Sequence, residues 1–311
     1  MRNKIIIELK NKIAESLSPL INKDYYLLEV PYYTNIGDTL IWQGELDFLK
    51  LLPYNCKGMY ALESFKFPKL KEDNLILFQG GGNFGDLWPK HHDFKMEVIA
   101  HYPKNKFLFF PQTVYFEKDE NLKSCAEFLS HYDVTICARD KESYKILTQN
   151  FSNKIVLVPD MAFCIDMDCW KREFVAKRPL LLKRTDKELY KTKQLQSIEL
   201  LPEIDITDWP TMQTNRDVLT KIMNRIKRYS LTSGRLTDLF AYYIYRPHLI
   251  HVGVKLLNTH THIYTTRLHA AILGVLLDKP ITFIDNSYGK NSSFYSSWLV
   301  DYDKIKLLEN D

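Results

Sequence analysis

The sequence contains no C-x-x-C pair, and its five cysteines (Cys56, Cys125, Cys137, Cys164, Cys169) are odd in number and scattered. That pattern excludes a zinc knuckle or a dithiol redox motif and fits the reduced thiols of a cytosolic protein. Long apolar runs are also missing. The longest, Ala270–Leu277, falls far short of the ~20 residues a membrane helix needs. The opening MRNKIIIELKNK has a three-residue apolar run before charge returns, too little for a signal peptide. A cytoplasmic protein that does not span a membrane is therefore expected. Neither sign of charge dominates: 42 Lys and Arg against 38 Asp and Glu leave a formal net charge of +4, too mild for a nucleic-acid partner. There is no internal repeat, no Gly-Lys-Ser/Thr after a glycine run and no G-x-S-x-G. P-loop and serine-hydrolase elbow are thus set aside, and the glycine run at 80–85 is not read as a dinucleotide fingerprint.

What is present is a chain of 311 residues, 45% hydrophobic and 26% charged, the profile of a globular α/β protein of about two domains. Ile6, Leu9, Ile13 and Leu17 predict an amphipathic helix over 3–20. Short apolar runs at 26–30, 75–78, 107–110, 134–137 and 155–158 read as buried parallel strands, with polar residues, proline or glycine past each, the third stopping at Pro111-Gln112-Thr113. Further strands are expected at 180–183, 263–265 and 281–284, with a helix over RDVLTKIMNRIKRY. Strands alternating with helices give two Rossmann-like domains, 1–170 and 171–311, facing across a cleft in a GT-B-like arrangement. The last ~20 residues are expected to cross back to the first domain. In such sheets ligands sit beyond the carboxyl ends of the strands.

Four constellations lie at those ends. Gly80-Gly81-Gly82-Asn83-Phe84-Gly85-Asp86 follows a strand and is either a tight turn or a loop whose backbone approaches an anion. Asn35-Ile36-Gly37-Asp38 is a helix start, with Asn35 or Asp38 capping, binding a sugar hydroxyl, or both. Thr265-Thr266-Arg267-Leu268-His269 joins a strand to an alanine-rich helix. There an arginine fork suits carboxylate or phosphate and a histidine suits proton transfer. Asp285–Asn291 is either a surface loop or a phosphate contact through Lys290. Two basic stretches, 171–193 and 216–235, are either solvated faces or contacts to an anionic substrate or membrane. His91-His92 and His260-Thr-His262 lack the spacing or carboxylates of a metal site, and none is expected.

Taken in order, NIGDTLIWQGELDFL (35–49), LFQGGGNFGDLWP (77–89), FFPQTVYF (109–116), ARDKES (138–143), LVPDMAF (157–163), LLKRTDKE (181–188), TTRLHAAILGVLL (265–277) and DNSYGKNSSFYSSW (285–298) resemble the polysaccharide pyruvyl transferase family. One departure is Thr266, where the family carries an acidic residue. The resemblance implies transfer of pyruvate from phosphoenolpyruvate, a substrate rather than a cofactor, to a sugar diol as a ketal, with release of phosphate. The setting it implies is capsular or exopolysaccharide biosynthesis. It implies a donor side in the C-terminal domain and an acceptor side in the N-terminal one. His269, Arg267 and Asp38 become the catalytic candidates. Arg139, Arg184, Arg267, Leu268, Lys290, Gly81 and Gly82 become donor contacts, and Asn35, Asn83 and Asp86 acceptor contacts. No step demands a metal. The implied partners are phosphoenolpyruvate and a lipid-linked saccharide, and that acceptor together with the basic helix 216–230 points to peripheral contact with an anionic inner-membrane face. Two other readings share these residues: a GT-B nucleotide-sugar glycosyltransferase, and a non-catalytic anion-binding protein of a polysaccharide assembly complex.

Overall fold

A computed structural model describes residues 4–170, 172–185, 192–213, 217–229, 234–285 and 289–308. The chain divides into two compact units, one of residues 8–31 and 44–164, the other of residues 1–7, 32–43 and 165–311. Helix α1 (Lys4–Leu17) buries Leu9, Ile13 and Leu17, the stripe its 3–4 spacing dictates. Strand β1 (Tyr25–Leu28) and helix α2 (Ile36–Leu49) follow, then β2 (Cys56–Tyr60), β3 (Leu75–Phe78) and β4 (Gly81–Gly85). The first unit continues with α3 (Pro89–His101), β5 (Lys106–Tyr115), α4 (Asp119–Ser130), β6 (Val134–Ala138), α5 (Lys141–Asn150) and β7 (Lys154–Leu157). Its sheet runs β2-β1-β3-β5-β6-β7 with β4 beside β5, every pairing parallel. Phe78, Phe84, Phe94, Phe107 and Phe109 fill one face of it.

The second unit adds β8 (Arg178–Leu182), α6 (Lys193–Glu199), β9 (Asp205–Thr207), α7 (Pro210–Gln213), α8 (Val218–Tyr229) and α9 (Gly234–Phe240). A π-helical turn, Ala241–Tyr245, leads into α10 (Arg246–Asn258). It closes with β10 (His260–Thr265), α11 (Leu268–Leu276), β11 (Ile281–Ile284), α12 (Lys290–Trp298) and β12 (Ile305–Leu308). The order is β12-β11-β10-β8-β9, again all parallel. The fold class is thus mixed α/β with two Rossmann-like parallel sheets. In both sheets the first strand has the second on one side and the third element of the path on the other. That reversal is the switch point at which a crevice opens beyond the strand ends.

Four local expectations change. Residues 32–43, placed in the N-terminal half by chain order, belong to the second unit, so α2 contributes its first turns there and its last turns to the first unit. Gly44 marks the changeover, because a Cβ there would lie 1.9 Å from the Met161 carbonyl oxygen. The described part of the last twenty residues, up to Leu308, stays with the second unit: β12 pairs with β11 in register Ile281↔Ile305 to Ile284↔Leu308. Strand β5 does not stop at Pro111 but runs on to Tyr115. The glycine segment is itself a strand, pairing Gly81 with Gln112 and Gly85 with Tyr115.

Candidate active site

The switch point of the second unit lies between β8 and β10, and of the predicted donor contacts Arg184, Arg267, Leu268 and Lys290 belong to this unit, whereas Arg139, Gly81 and Gly82 lie in the first. Thr265 Oγ1 donates to the Leu182 carbonyl at 2.9 Å and accepts the Arg267 amide at 2.9 Å. The Arg184 amide donates to Thr266 Oγ1 at 3.0 Å. Asn291 Nδ2 donates to the carbonyls of Thr266 (3.1 Å) and Ile284 (2.9 Å), tying α12 to the ends of β10 and β11. Thr266, the departure from the family pattern, is buried and used as a rivet between the β8 and β10 ends. Arg184, Arg267 and Leu268 are buried at the carboxyl edge of this sheet, while His269 is half-buried in the first turn of α11.

Arg267 is not the open fork the sequence suggests. Its Nε and Nη2 donate to Oδ1 and Oδ2 of Asp208 at 2.6 and 2.5 Å, and Asp208 has no exposed surface. Asp208 also accepts the Trp209 amide at 2.8 Å and the Thr185 hydroxyl at 3.3 Å. A buried carboxylate satisfied by four donors orients the guanidinium and offsets its desolvation. Sequence reasoning missed Asp208. The signal was there, a polar residue between Ile206-Thr207 and Trp209-Pro210, but a three-residue strand is too short for periodicity to register.

The second group joins from far away in sequence. Asn35 caps α2: its Oδ1 accepts the Gly37 amide at 3.0 Å and its Nδ2 donates to Asp38 Oδ2 at 2.7 Å. The imidazole of His269 lies against this first turn. A Cβ on Gly37 would stand 2.8 Å from His269 Nδ1 and 3.1 Å from Cγ. The second unit therefore unites Asn35, Gly37, Asp38 and His269 around one helix start. Lys290 is half-buried at the first position of α12, whose following amides, Asn291 and Ser292, both donate to buried Asp285 Oδ1 at 3.1 Å. Asn286, Ser287 and Tyr288 lie outside the described residues, as do Lys171, Lys187, Lys191 and Arg216 of the basic stretches. Of the remainder, Lys183 pairs with Glu199 at 2.5 Å and Lys227 donates to the Tyr32 carbonyl at 3.2 Å.

In the first unit the predicted residues do structural work. Arg139 is buried, its Nη1 on Asp160 at 2.8 Å and its Nε on Thr113 at 2.7 Å. Asp86 accepts the Glu117 and Lys118 amides and Asn121 Nδ2, at 2.8, 3.3 and 3.0 Å, so it tethers the segment that leads into α4. Burial opposes ionisation of Asp86, but those donors prevail and hold its carboxyl below the usual range. The glycine run does not aim its leading amide at a ligand, since Gly80 N–H donates to Glu45 Oε1 at 2.8 Å. Gly81 and Gly82 lie in β4, and Asn83 offers its carbonyl to Lys95 at 3.5 Å.

Around that strand the structure assembles a cluster the sequence did not reveal. Glu29, in the left-handed region at φ 70°, accepts from His91 Nδ1 at 2.6 Å and from Lys95 Nζ at 2.8 Å. It directly follows β1, at this sheet's own switch point. His91 and His92, adjacent on α3, part as expected, His91 to Glu29 and His92 between Phe84 and Phe116. Glu45 is fully buried, and desolvation lifts its pKa well above the usual value. The Gly80 amide works against that rise, and Asp160 and Glu29 add to it. Its signal in sequence was invisible, because Glu45 reads as an ordinary helix residue.

Residues 35–288 match the family described as polysaccharide pyruvyl transferase. The chain is 30% identical to the pyruvyl transferase EpsO of Bacillus subtilis (strain 168), covering 98% of this chain and 95% of that one. It is 25% identical to Pyruvyl transferase 1 of Schizosaccharomyces pombe, over 89% of this chain and 70% of that one. A crystal structure of a functionally uncharacterised Klebsiella pneumoniae protein shares the fold at TM-score 0.61 and 21% identity, covering 98% and 97% of the two chains.

Proposed function

The chain belongs to the polysaccharide pyruvyl transferase family, and from that premise we propose that it moves pyruvate from phosphoenolpyruvate onto a saccharide diol as a ketal, releasing phosphate, in capsular or exopolysaccharide biosynthesis. The observation that carries this reading is His269 seated against Gly37, at a helix start held by Asn35 and Asp38, in the unit that also holds Arg184 and Arg267. Phosphoenolpyruvate bears a carboxylate and a phosphate on one carbon, so its site needs cations in fixed positions. Arg184 and Arg267 supply two, and Asp208 fixes the plane of the second. Lys290 adds a point charge at the start of α12.

The chemistry requires a proton at C3 of the donor as a hydroxyl adds to C2. His269 supplies that proton, and the added hydroxyl's proton restores the imidazole. Expulsion of phosphate then leaves oxocarbenium character at C2, which the second hydroxyl traps, its proton departing with the phosphate. In this scheme Asp38, which accepts from Asn35 Nδ2, also accepts from a sugar hydroxyl. Phosphoenolpyruvate is consumed as a substrate in this scheme.

The test is to incubate the protein with phosphoenolpyruvate and a panel of galactosides, glucosides and mannosamine derivatives, lipid-linked and free. Acceptor-dependent phosphate release with a product heavier by one pyruvyl ketal is expected. Phosphoenolpyruvate should also raise the melting temperature. Turnover of a nucleotide sugar with no response to phosphoenolpyruvate would overturn the reading in favour of glycosyl transfer.

A further inference from the structure

We propose that the α8–α9 face of the second unit is a docking surface for an anionic lipid bilayer, with apolar side chains that enter the headgroup boundary. On α8, Val218, Lys221, Ile222, Arg225 and Arg228 recur at spacings of three and four and so share one face. All five are exposed. The opposite face buries Thr220 and Met223. Alongside pack α9 and the π-helical turn, where Leu236, Leu239 and Tyr243 fall at i, i+3 and i+7. These three and Ile244 are between 46% and 68% exposed.

Large apolar side chains clustered at such exposure are not the scatter of an ordinary surface. Their company is one-signed. The only acids between positions 217 and 245 are Asp217 and Asp238, and both turn to internal partners. Asp217 accepts from Thr220 at 2.5 Å and contacts His248 at 2.8 Å, while Asp238 accepts from the Tyr32 hydroxyl at 2.8 Å. Cations beside leucine, isoleucine and tyrosine on short amphipathic helices match the chemistry of a headgroup layer over acyl chains. A second copy of this chain fits poorly, because an isologous interface would set this basic face against itself. The surface would keep the enzyme at a membrane-borne saccharide, but it does not depend on the proposed chemistry.

The experiment is co-sedimentation of the full chain with vesicles of phosphatidylcholine alone, or of equal parts phosphatidylcholine and phosphatidylglycerol, across a salt series. Binding only to the anionic vesicles is expected, falling with salt to a residue that salt does not remove. Lys221→Gln with Arg225→Gln and Arg228→Gln should weaken low-salt binding by about fivefold per cation. Leu236→Ser with Leu239→Ser and Tyr243→Ser should keep the salt-sensitive part and lose the residue. Unchanged melting temperatures certify both variants as folded. Equal binding to neutral vesicles, no binding, or indifference to both variants would overturn the proposal. So would self-association in the ultracentrifuge that Leu239→Ser abolishes. No phosphoenolpyruvate or saccharide is present in these runs, so their failure leaves the pyruvyl-transfer reading standing, and the reverse holds.

Discussion

Gly37→Ala tests whether the contact between α2 and His269 matters for chemistry rather than for folding. The added methyl would lie 2.8 Å from Nδ1 and 3.1 Å from Cγ of the ring, and 3.2 Å from Asn35 Oδ1. Comfortable carbon contacts begin near ~3.5 Å, so the half-buried imidazole must retreat by about 0.7 Å or turn. Alanine in a helix is favoured over glycine by roughly 0.5–1 kcal/mol, while crowding costs ~1–3 kcal/mol. The two nearly offset, and Tm should move by no more than about 5 °C. Misplacing a proton donor on the ångström scale costs ~10²-fold in kcat. Turnover should therefore fall by one to two orders of magnitude with the fold intact, measured as acceptor-dependent phosphate release. The decisive control is the double variant. With His269→Ala the ring is gone and the methyl has nothing to displace, so Gly37→Ala should cost almost nothing further. If the two losses multiply instead, the glycine acts through something other than the histidine and the reasoning fails.

Gly44→Ala, seven residues on in the same helix, has the opposite expectation. Its Cβ would meet backbone at 1.9 Å, so expression or Tm should collapse, and normal thermal stability would contradict the packing described. Arg267→Lys surrenders one of two bonds to Asp208, so both Tm and donor affinity should drop. A rise in KM with no stability change would mean the fork faces the donor instead. Asp86→Ala removes three hydrogen bonds that tether the entry to α4 and should cost ~1 kcal/mol of stability. Activity per folded molecule should hold; a selective rise in acceptor KM would restore Asp86 to the acceptor site. Glu45 gives a pH dependence whose sign follows from its raised pKa. The folded state holds this proton more tightly than the unfolded chain, so the stabilisation is complete below the unfolded value and is lost as pH rises through the folded one. Glu45→Gln mimics the protonated acid and should lose stability less steeply than the parent as pH rises. Parallel Tm–pH curves would refute a neutral Glu45.

Local pattern was enough for the parts of this protein that are locally determined. Leu75–Phe78 and Ile281–Ile284 are apolar runs that had to be buried strands, and they are. The 3–4 stripe of α1 and the strand-to-helix junction at Arg267-Leu268-His269 were equally legible, because side-chain periodicity is a property of adjacent residues. Tertiary structure decided the rest, wherever a residue's role depends on a partner far along the chain. Asp208 meets Arg267 across 59 positions, and no window of sequence contains both. Gly81–Gly85 has almost no side chains to show a period and is a strand only because β5 extends to pair with it. Residues 32–43 follow β1 in the chain yet pack with the second unit, since the face of α2 near Gly37 and Ile36 is complementary to His269 and Gly253. Glu45 looks like a solvated helix acid until burial strips its water, and desolvation is a property of the folded molecule alone.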